Sequence, residues 1–159
     1  MLFRSGLTAA KMAGAMVRLL DMSVRHANER EQFGRPLGKF QAIQQQLAVM
    51  SEQVVSARVA ARIGMTGTCF DPLRVAMAKA RVSEASHQVV AIAHAVHGAI
   101  GVTEEFDLQL LTRRLKQGQL AFGSERFWAA RLGRARLASG PQTSADFVRT
   151  CLKDKEPPQ

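Results

Sequence analysis

The stretch from Phe40 to Ala57 constrains the fold more tightly than any other part of the chain. Its apolar residues Phe40, Ile43, Leu47, Met50, Val54 and Ala57 recur in steps of 3, 4, 3, 4 and 3. On a helix these steps fall along one side, which makes the segment the seam of a bundle helix. A second stripe, Ala10, Ala13, Val17, Leu20 and Val24, predicts an earlier helix from about Thr8 to about Arg30. That helix has to end in "QFGRPLGKF", because Gly34, Pro36 and Gly38 cannot continue it.

The helix that starts at Phe40 stops near "GMTGTCF", and Asp71-Pro72 opens a third. Asp is a good N-cap, and a proline in the first turn gives up an N–H that has no helical partner anyway. Leu73, Ala76, Met77, Ala80, Val89 and Ala93 turn this helix inward, and "HGAIG" (His97 to Gly101) breaks it. A shorter helix is expected over roughly Glu105 to Gln117, and another from Ser124 to about Ala138. At the second of these starts Gly123 supplies a sharp turn, Ser124 a cap, and Glu125 a carboxylate in the first turn. Long helices with short connections give an all-α, antiparallel (up-down) four-helix bundle with an extra short C-terminal helix. Residues 1–140 form that domain, and the polar segment 141–159 is expected to be a mobile tail.

Composition narrows the function classes. The chain has 159 residues, no Tyr and one Trp, and is rich in helix formers. Its net charge of +9 points to an anionic partner: nucleic acid, a membrane surface or a phosphorylated small molecule. The 22 Lys and Arg are spread along the chain, which favours solvated helix faces and a few phosphate contacts over a nucleic-acid stripe. Charge permits a nucleic-acid binder, but no motif supports one. Cys69 and Cys151 cannot build a disulfide framework, and fit a reducing, cytoplasmic setting. No window approaches 18 uncharged apolar residues, so no membrane span is expected, and "MLFRSGLTAAK" does not read as a signal peptide.

Four places could carry chemistry. In "EREQFGRPLGKFQ", Arg30 stands at a helix C-terminus beside Phe33 and a Gly/Pro turn. A guanidinium next to an exposed ring suits a ligand with phosphate and heterocycle, although a basic helix end followed by a turn also accounts for these residues. His87, His94 and His97 are spaced 7 and 3 apart, but no Cys and no second ligand cluster joins them, so no metal site is expected. Gly98 and Gly101 permit close approach of a backbone or cofactor, as would an ordinary interhelical turn. "QLAFGSER" reads as a complete helix stop and start.

In order and spacing, "RHANEREQFGRPLGKFQAIQQQLA", the Ala-rich helix after Asp71-Pro72, "HGAIGVTEEFDLQLLTRR" and "AFGSER" resemble the C-terminal helical domain of the acyl-CoA dehydrogenases over about residues 5 to 138. The resemblance implies an FAD-dependent oxidoreductase of fatty-acid metabolism. In that family a carboxylate removes the α-proton of an acyl-CoA while FAD takes the β-hydride, and an electron-transfer flavoprotein usually reoxidises the flavin. It further implies an N-terminal helical domain, a central β-domain and assembly as dimers or tetramers. By the same resemblance Arg30 contacts the flavin pyrophosphate of the neighbouring subunit, and Gln32 and Phe33 adjoin it. Gly98 to Gly101 approach the partner's FAD as well, and Ser124 lies by a flavin.

The chain departs from the family pattern at one decisive position. The usual aromatic-Glu-Gly-Thr reads Ala121-Phe122-Gly123-Ser124 here, so Phe122 stands where the catalytic Glu is expected. Phe122 cannot accept a proton. "FRSGL" offers no carboxylate at the alternative base position, and Glu125 is displaced by three residues on a helix start. No residue of this chain is therefore assigned a catalytic role, and no metal is expected. The 159 residues correspond to one of three domains, which implies a fragment or a subunit whose other domains lie on another polypeptide. Alone, it is expected not to oxidise acyl-CoA. The alternative is a non-catalytic assembly module that completes a partner's FAD site.

Overall fold

The computed structural model describes residues 1–67 and 70–153. Six helices follow one another: α1 (Leu2–Glu29), α2 (Gln41–Met65), α3 (Pro72–His97), α4 (Leu108–Leu120), α5 (Glu125–Ala138) and α6 (Ser144–Leu152). Between α1 and α2 lies a minimal antiparallel hairpin, β1 (Glu31–Gln32) and β2 (Arg35–Pro36), in which Glu31 faces Pro36 and Gln32 faces Arg35. Helices α1 to α4 make the bundle, and α5 packs across α3. The fold is the expected all-α bundle.

Helix α3 is its centre, touching α1, α2, α4 and α5. It starts as its sequence dictates: Asp71 Oδ1 accepts from the N–H groups of Leu73 and Arg74 at 2.8 and 3.2 Å, with Pro72 in the first turn. Val75, Ala78, Val82, Ala85, Val89 and Ala93 are all fully buried, and their small size lets four neighbours approach. Met50, Val54 and Ala57 of α2 meet them, as the α2 stripe predicts. A smaller cluster joins Trp128 of α5 to Val75 and Ala76 of α3, with Leu2 and Leu132 against it.

Three expectations are revised. Helix α1 begins six residues before the expected Thr8, and it buries Ala9, Met12, Ala13, Met16, Leu19 and Ala27. Of the predicted stripe only Ala13 is buried; Val24 is exposed, and Ala10 and Val17 line a groove between α1 and α2. The apolar face of α1 is wider than one stripe, and sequence spacing alone picked its α2-side edge. Helix α4 runs 108–120 in place of 105–117. Its Gly118 does not stop it, because the helix needs a bare backbone there where Met12 of α1 presses in.

The expected mobile tail carries a helix. Thr143 caps α6, its Oγ1 accepting from Asp146 N at 3.1 Å, and Phe147 and Cys151 are buried. Arg74 at the head of α3 donates to the carbonyls of Cys151, Leu152 and Lys153 at 2.7 to 2.9 Å, which ties the end of α6 to the bundle. Residues 154–159, the rest of that segment, and Cys69 lie outside the described residues.

Candidate functional site

The six expected site residues fall at two places. Arg30, Gln32, Phe33, Gly98 and Gly101 gather at one end of the bundle. Arg30 closes α1, its N–H donating to His26 O at 2.8 Å and its carbonyl accepting from Leu37 N at 2.9 Å. The two loop residues of the hairpin, Phe33 (φ 54) and Gly34 (φ 79), are both left-handed. A two-residue loop with positive φ at both positions is the turn that matches strand twist. It projects Phe33 into solvent at 90% exposure. Phe40 meets the Phe33 ring edge-on at 6.2 Å, and the Arg35 guanidinium lies 4.1 Å over Phe40.

Stacked rings join this corner to the end of α3. His26, in the last turn of α1, lies 4.5 Å from His97, the last residue of α3, and Phe106 stands 5.0 Å from His97. Burial holds both imidazoles below the ordinary histidine value; the facing His97 and Arg30 push His26 further down, while a bond to Ala93 O pulls His97 partly back. His97 Nδ1 lies 2.7 Å from that carbonyl and donates to it, which leaves the buried Nε2 without a partner among the described residues. Immediately beyond, Gly98 takes φ 62, and no atom stands within 4 Å of where its Cβ would be. Gly101 is buried, and a Cβ there would press on His97 and Leu108 at 3.0 Å. One glycine is open backbone and the other is packing.

Ser124 lies at the opposite end. It caps α5, its Oγ accepting from Phe127 N at 3.4 Å, and so leaves its own O–H to donate. The preceding Phe122 (φ 56) and Gly123 (φ 105) are left-handed. Ser5 of α1 and Trp128 of α5 both donate to Phe122 O, at 3.0 and 3.2 Å. The Phe122 ring is 40% exposed with the Arg4 guanidinium 5.8 Å from its centre. Glu125 points away from this turn, to His87 of α3 at 3.6 Å. From Ser5 to His26, α1 advances about 30 Å, and that is the scale separating the two ends.

Sequence reading missed what lies beneath the Phe122 turn. Lys79 of α3 is fully buried, and its Nζ donates to the carbonyls of Gly118, Gln119 and Gly123 and to Ser83 Oγ. Gln119 Nε2 donates to Ser86 Oγ at 2.7 Å, which in turn donates to Ser83 O. The available signal was Lys79, Ser83 and Ser86, polar residues three and four apart on an otherwise apolar helix side. The histidines do not converge: ten residues, about 15 Å of helix, separate His87 from His97.

The model of the acyl-CoA dehydrogenase C-terminal domain matches residues 4–137. The chain belongs to the acyl-CoA dehydrogenase family. The acyl-CoA dehydrogenase IpdE2 of Mycolicibacterium smegmatis is 35% identical over 126 residues, which cover 79% of this chain and 40% of that protein. Among solved structures, a chain of the ChsE4-ChsE5 complex from Mycobacterium tuberculosis superimposes with TM-score 0.82 at 31% identity, over 89% of this chain and 39% of its own. Butyryl-CoA dehydrogenase from Megasphaera elsdenii gives 0.76 at 31% identity, over 84% and 36%. The chain thus spans about two fifths of the length of these proteins, in the region of the family's C-terminal domain.

The residues present fit part of a flavin dinucleotide's requirements. Arg30 forms no recorded ion pair among the described residues, Phe33 offers a bare ring, and Gly98 offers uncovered backbone. These are donors for a pyrophosphate and a surface for a ring system. The Ser124 end offers a hydroxyl and an apolar wall, and the carboxylate next to it in sequence, Glu125, is directed to His87.

Proposed function

We propose that this bundle serves two flavin sites of an acyl-CoA dehydrogenase assembly, one with each end. The separation of about 30 Å between Ser124 and the Arg30–Gly98 corner carries the reading, because the two groups face different places in an assembly. At the Arg30 end, Arg30 holds the pyrophosphate of a neighbouring subunit's FAD, Gln32 and Phe33 adjoin it, and the Gly98–Gly101 turn lets that cofactor approach backbone. At the other end, Ser124 donates to a flavin while Phe122 and Gly123 form a wall beside it. When bound, FAD supplies the hydride acceptor.

In this reading the chain contributes no base: the residue at the usual position is a phenylalanine, and Glu125 is directed to His87. A proton acceptor for the acyl-CoA α-carbon comes from another part of the assembly, or the assembly uses this subunit only to complete its partner's site. The second version, a non-catalytic module, is favoured by Phe122 itself. Val55 and Val59, both more than half exposed along the α1–α2 groove, support burial against another subunit. No helix is long and apolar enough to cross a membrane among the described residues. Electron-transfer flavoprotein is the proposed electron acceptor of the whole assembly.

The test is FAD titration of this chain alone and together with a polypeptide carrying the N-terminal helical and β-domains. Flavin retention is expected only in the complex, and is expected to weaken at least tenfold on Arg30→Ala. Retention in the complex that is indifferent to Arg30 overturns the assignment of that end. Reduction of flavin by acyl-CoA with this chain alone overturns the absence of autonomous activity.

A further inference from the structure

The structure assigns Lys79 the role of positioning residue for the turn between α4 and α5: one interior ammonium holds the backbone of residues 118–123 in the shape that presents Phe122 and Ser124. Its Nζ lies 2.7 Å from Gly118 O, 3.2 Å from Gln119 O, 3.1 Å from Gly123 O and 3.1 Å from Ser83 Oγ. An ammonium has three N–H donors, so four acceptors engage all of them, with one shared. The turn's use as a flavin-side wall rests on the function proposed above; the clamp itself does not.

The acceptors explain why a charge is kept inside. Helix α4 ends with Ala121 N bonded to Gln117 O, which leaves the later carbonyls, Gly118 and Gln119 included, without helical partners. A cation at that end is also favoured by the aligned peptide dipoles of α4. Gly123 O lies on the far side of the two left-handed residues. One nitrogen therefore spans the last turn of α4 and the residue before the α5 cap. Two further bonds finish the fixation, from Ser5 and Trp128 to Phe122 O.

No charged side chain shifts the proton equilibrium of Lys79; burial alone pushes it down to about 8. Among the described residues its hydrogen-bond partners are all neutral, the Ser83 hydroxyl on its own helix and the carbonyls of α4 and the turn. A neutral amine has two N–H donors in place of three, so losing the proton weakens its hold on these acceptors. The shape of the turn is therefore tied to the charge of a residue on a different helix.

Trp128 is the single tryptophan, and its indole N–H is bonded to Phe122 O, so it reports on this turn. The experiment follows its fluorescence in the full free chain, without flavin, from pH 6.5 to 9.5. A reversible one-proton transition with a midpoint near 8 is expected, and Lys79→Met should abolish it. Ser83→Ala, which removes one acceptor of the ammonium, should move the midpoint to lower pH by about half a unit or more. A flat wild-type profile overturns the assignment. So does a transition that persists in a folded Lys79→Met. If circular dichroism shows Lys79→Met unfolded, Ser83→Ala decides: an unmoved midpoint overturns the clamp. Because no flavin is present, failure here leaves the two-site reading to its own titration.

Discussion

Ser5, in the first turn of α1, donates its hydroxyl to the carbonyl of Phe122 at 3.0 Å, 117 residues further along the chain. The bond sits under a left-handed phenylalanine (φ 56), a conformation that costs an L-residue about 1 kcal/mol and persists only where its surroundings enforce it. Ser5→Ala is expected to lower stability by about 1 kcal/mol in urea unfolding. Gly123→Ala should cost more, about 2–3 kcal/mol, because a Cβ there meets Trp128 Nε1 at 2.6 Å and φ is 105. If Gly123→Ala is neutral, the turn is not held as described.

Phe122→Glu puts a carboxylate at the position where the family resemblance places a catalytic base. In the FAD-loaded complex it is expected to raise acyl-CoA-dependent flavin bleaching by about 100-fold or more, the usual scale of general-base catalysis. The free chain should stay inactive with either residue. An unchanged rate in the loaded complex would show that this wall does not face the reacting carbon.

The buried charge of Lys79 has a global consequence of known sign. Its folded pKa of about 8 lies below the ordinary 10.5, so between those values the unfolded chain binds more protons than the folded one. The penalty for burying the ammonium is full below pH 8 and is relieved as pH rises towards 10.5. Lysine's share of the stability therefore rises across that window, even as the turn loses a donor. Chemical denaturation at pH 7.5, 8.5 and 9.5 should show a rise in the stability of the wild type that Lys79→Met lacks.

His26 and His97 act at the other end, in the acid range. Both are held below the ordinary value of 6.5, so on acidification through 6.5 the unfolded chain takes up protons first and stability falls. Two cations stacked at 4.5 Å would also repel each other. Thermal unfolding should show a loss between pH 6.5 and 5 that His97→Phe reduces. An equal loss in that variant would place the acid sensitivity elsewhere.

Arg74 holds the last carbonyls of α6, so Arg74→Met should free the helix and uncover Cys151. In a Cys69→Ser background, thiol labelling of Cys151 is expected to speed up at least tenfold in that variant. Unchanged labelling would mean that Phe147 and Cys151 dock α6 without the guanidinium.

Much of this architecture is written locally. Asp71-Pro72, Gly34 in the hairpin and Gly123-Ser124 set element boundaries by cap and turn chemistry that needs no tertiary partner. The inward face of α1 was not legible, since Val17 and Met16 are equally apolar and only the placement of neighbouring helices separates them. Thr143 and Asp146 did carry a cap signal for α6, but what fixes that helix is Arg74, about 70 residues earlier. The candidate site residues were proposed from their motifs, but their division between two ends of the bundle required the length of α1. Lys79 escaped because its acceptors are backbone carbonyls some 40 residues away, and every residue has a carbonyl.

The distance between the two ends also bears on symmetry. In a pair of identical copies related by a two-fold axis, each copy gives one end and receives the other, and the two cofactor positions are equivalent. Pairing with an unlike subunit breaks that equivalence. One position then combines this chain's Arg30 corner with the partner's wall, and the other combines the partner's corner with the Phe122 wall. Half of the positions would be chemically distinct from the rest, so turnover per bound flavin in such a pair counts two populations.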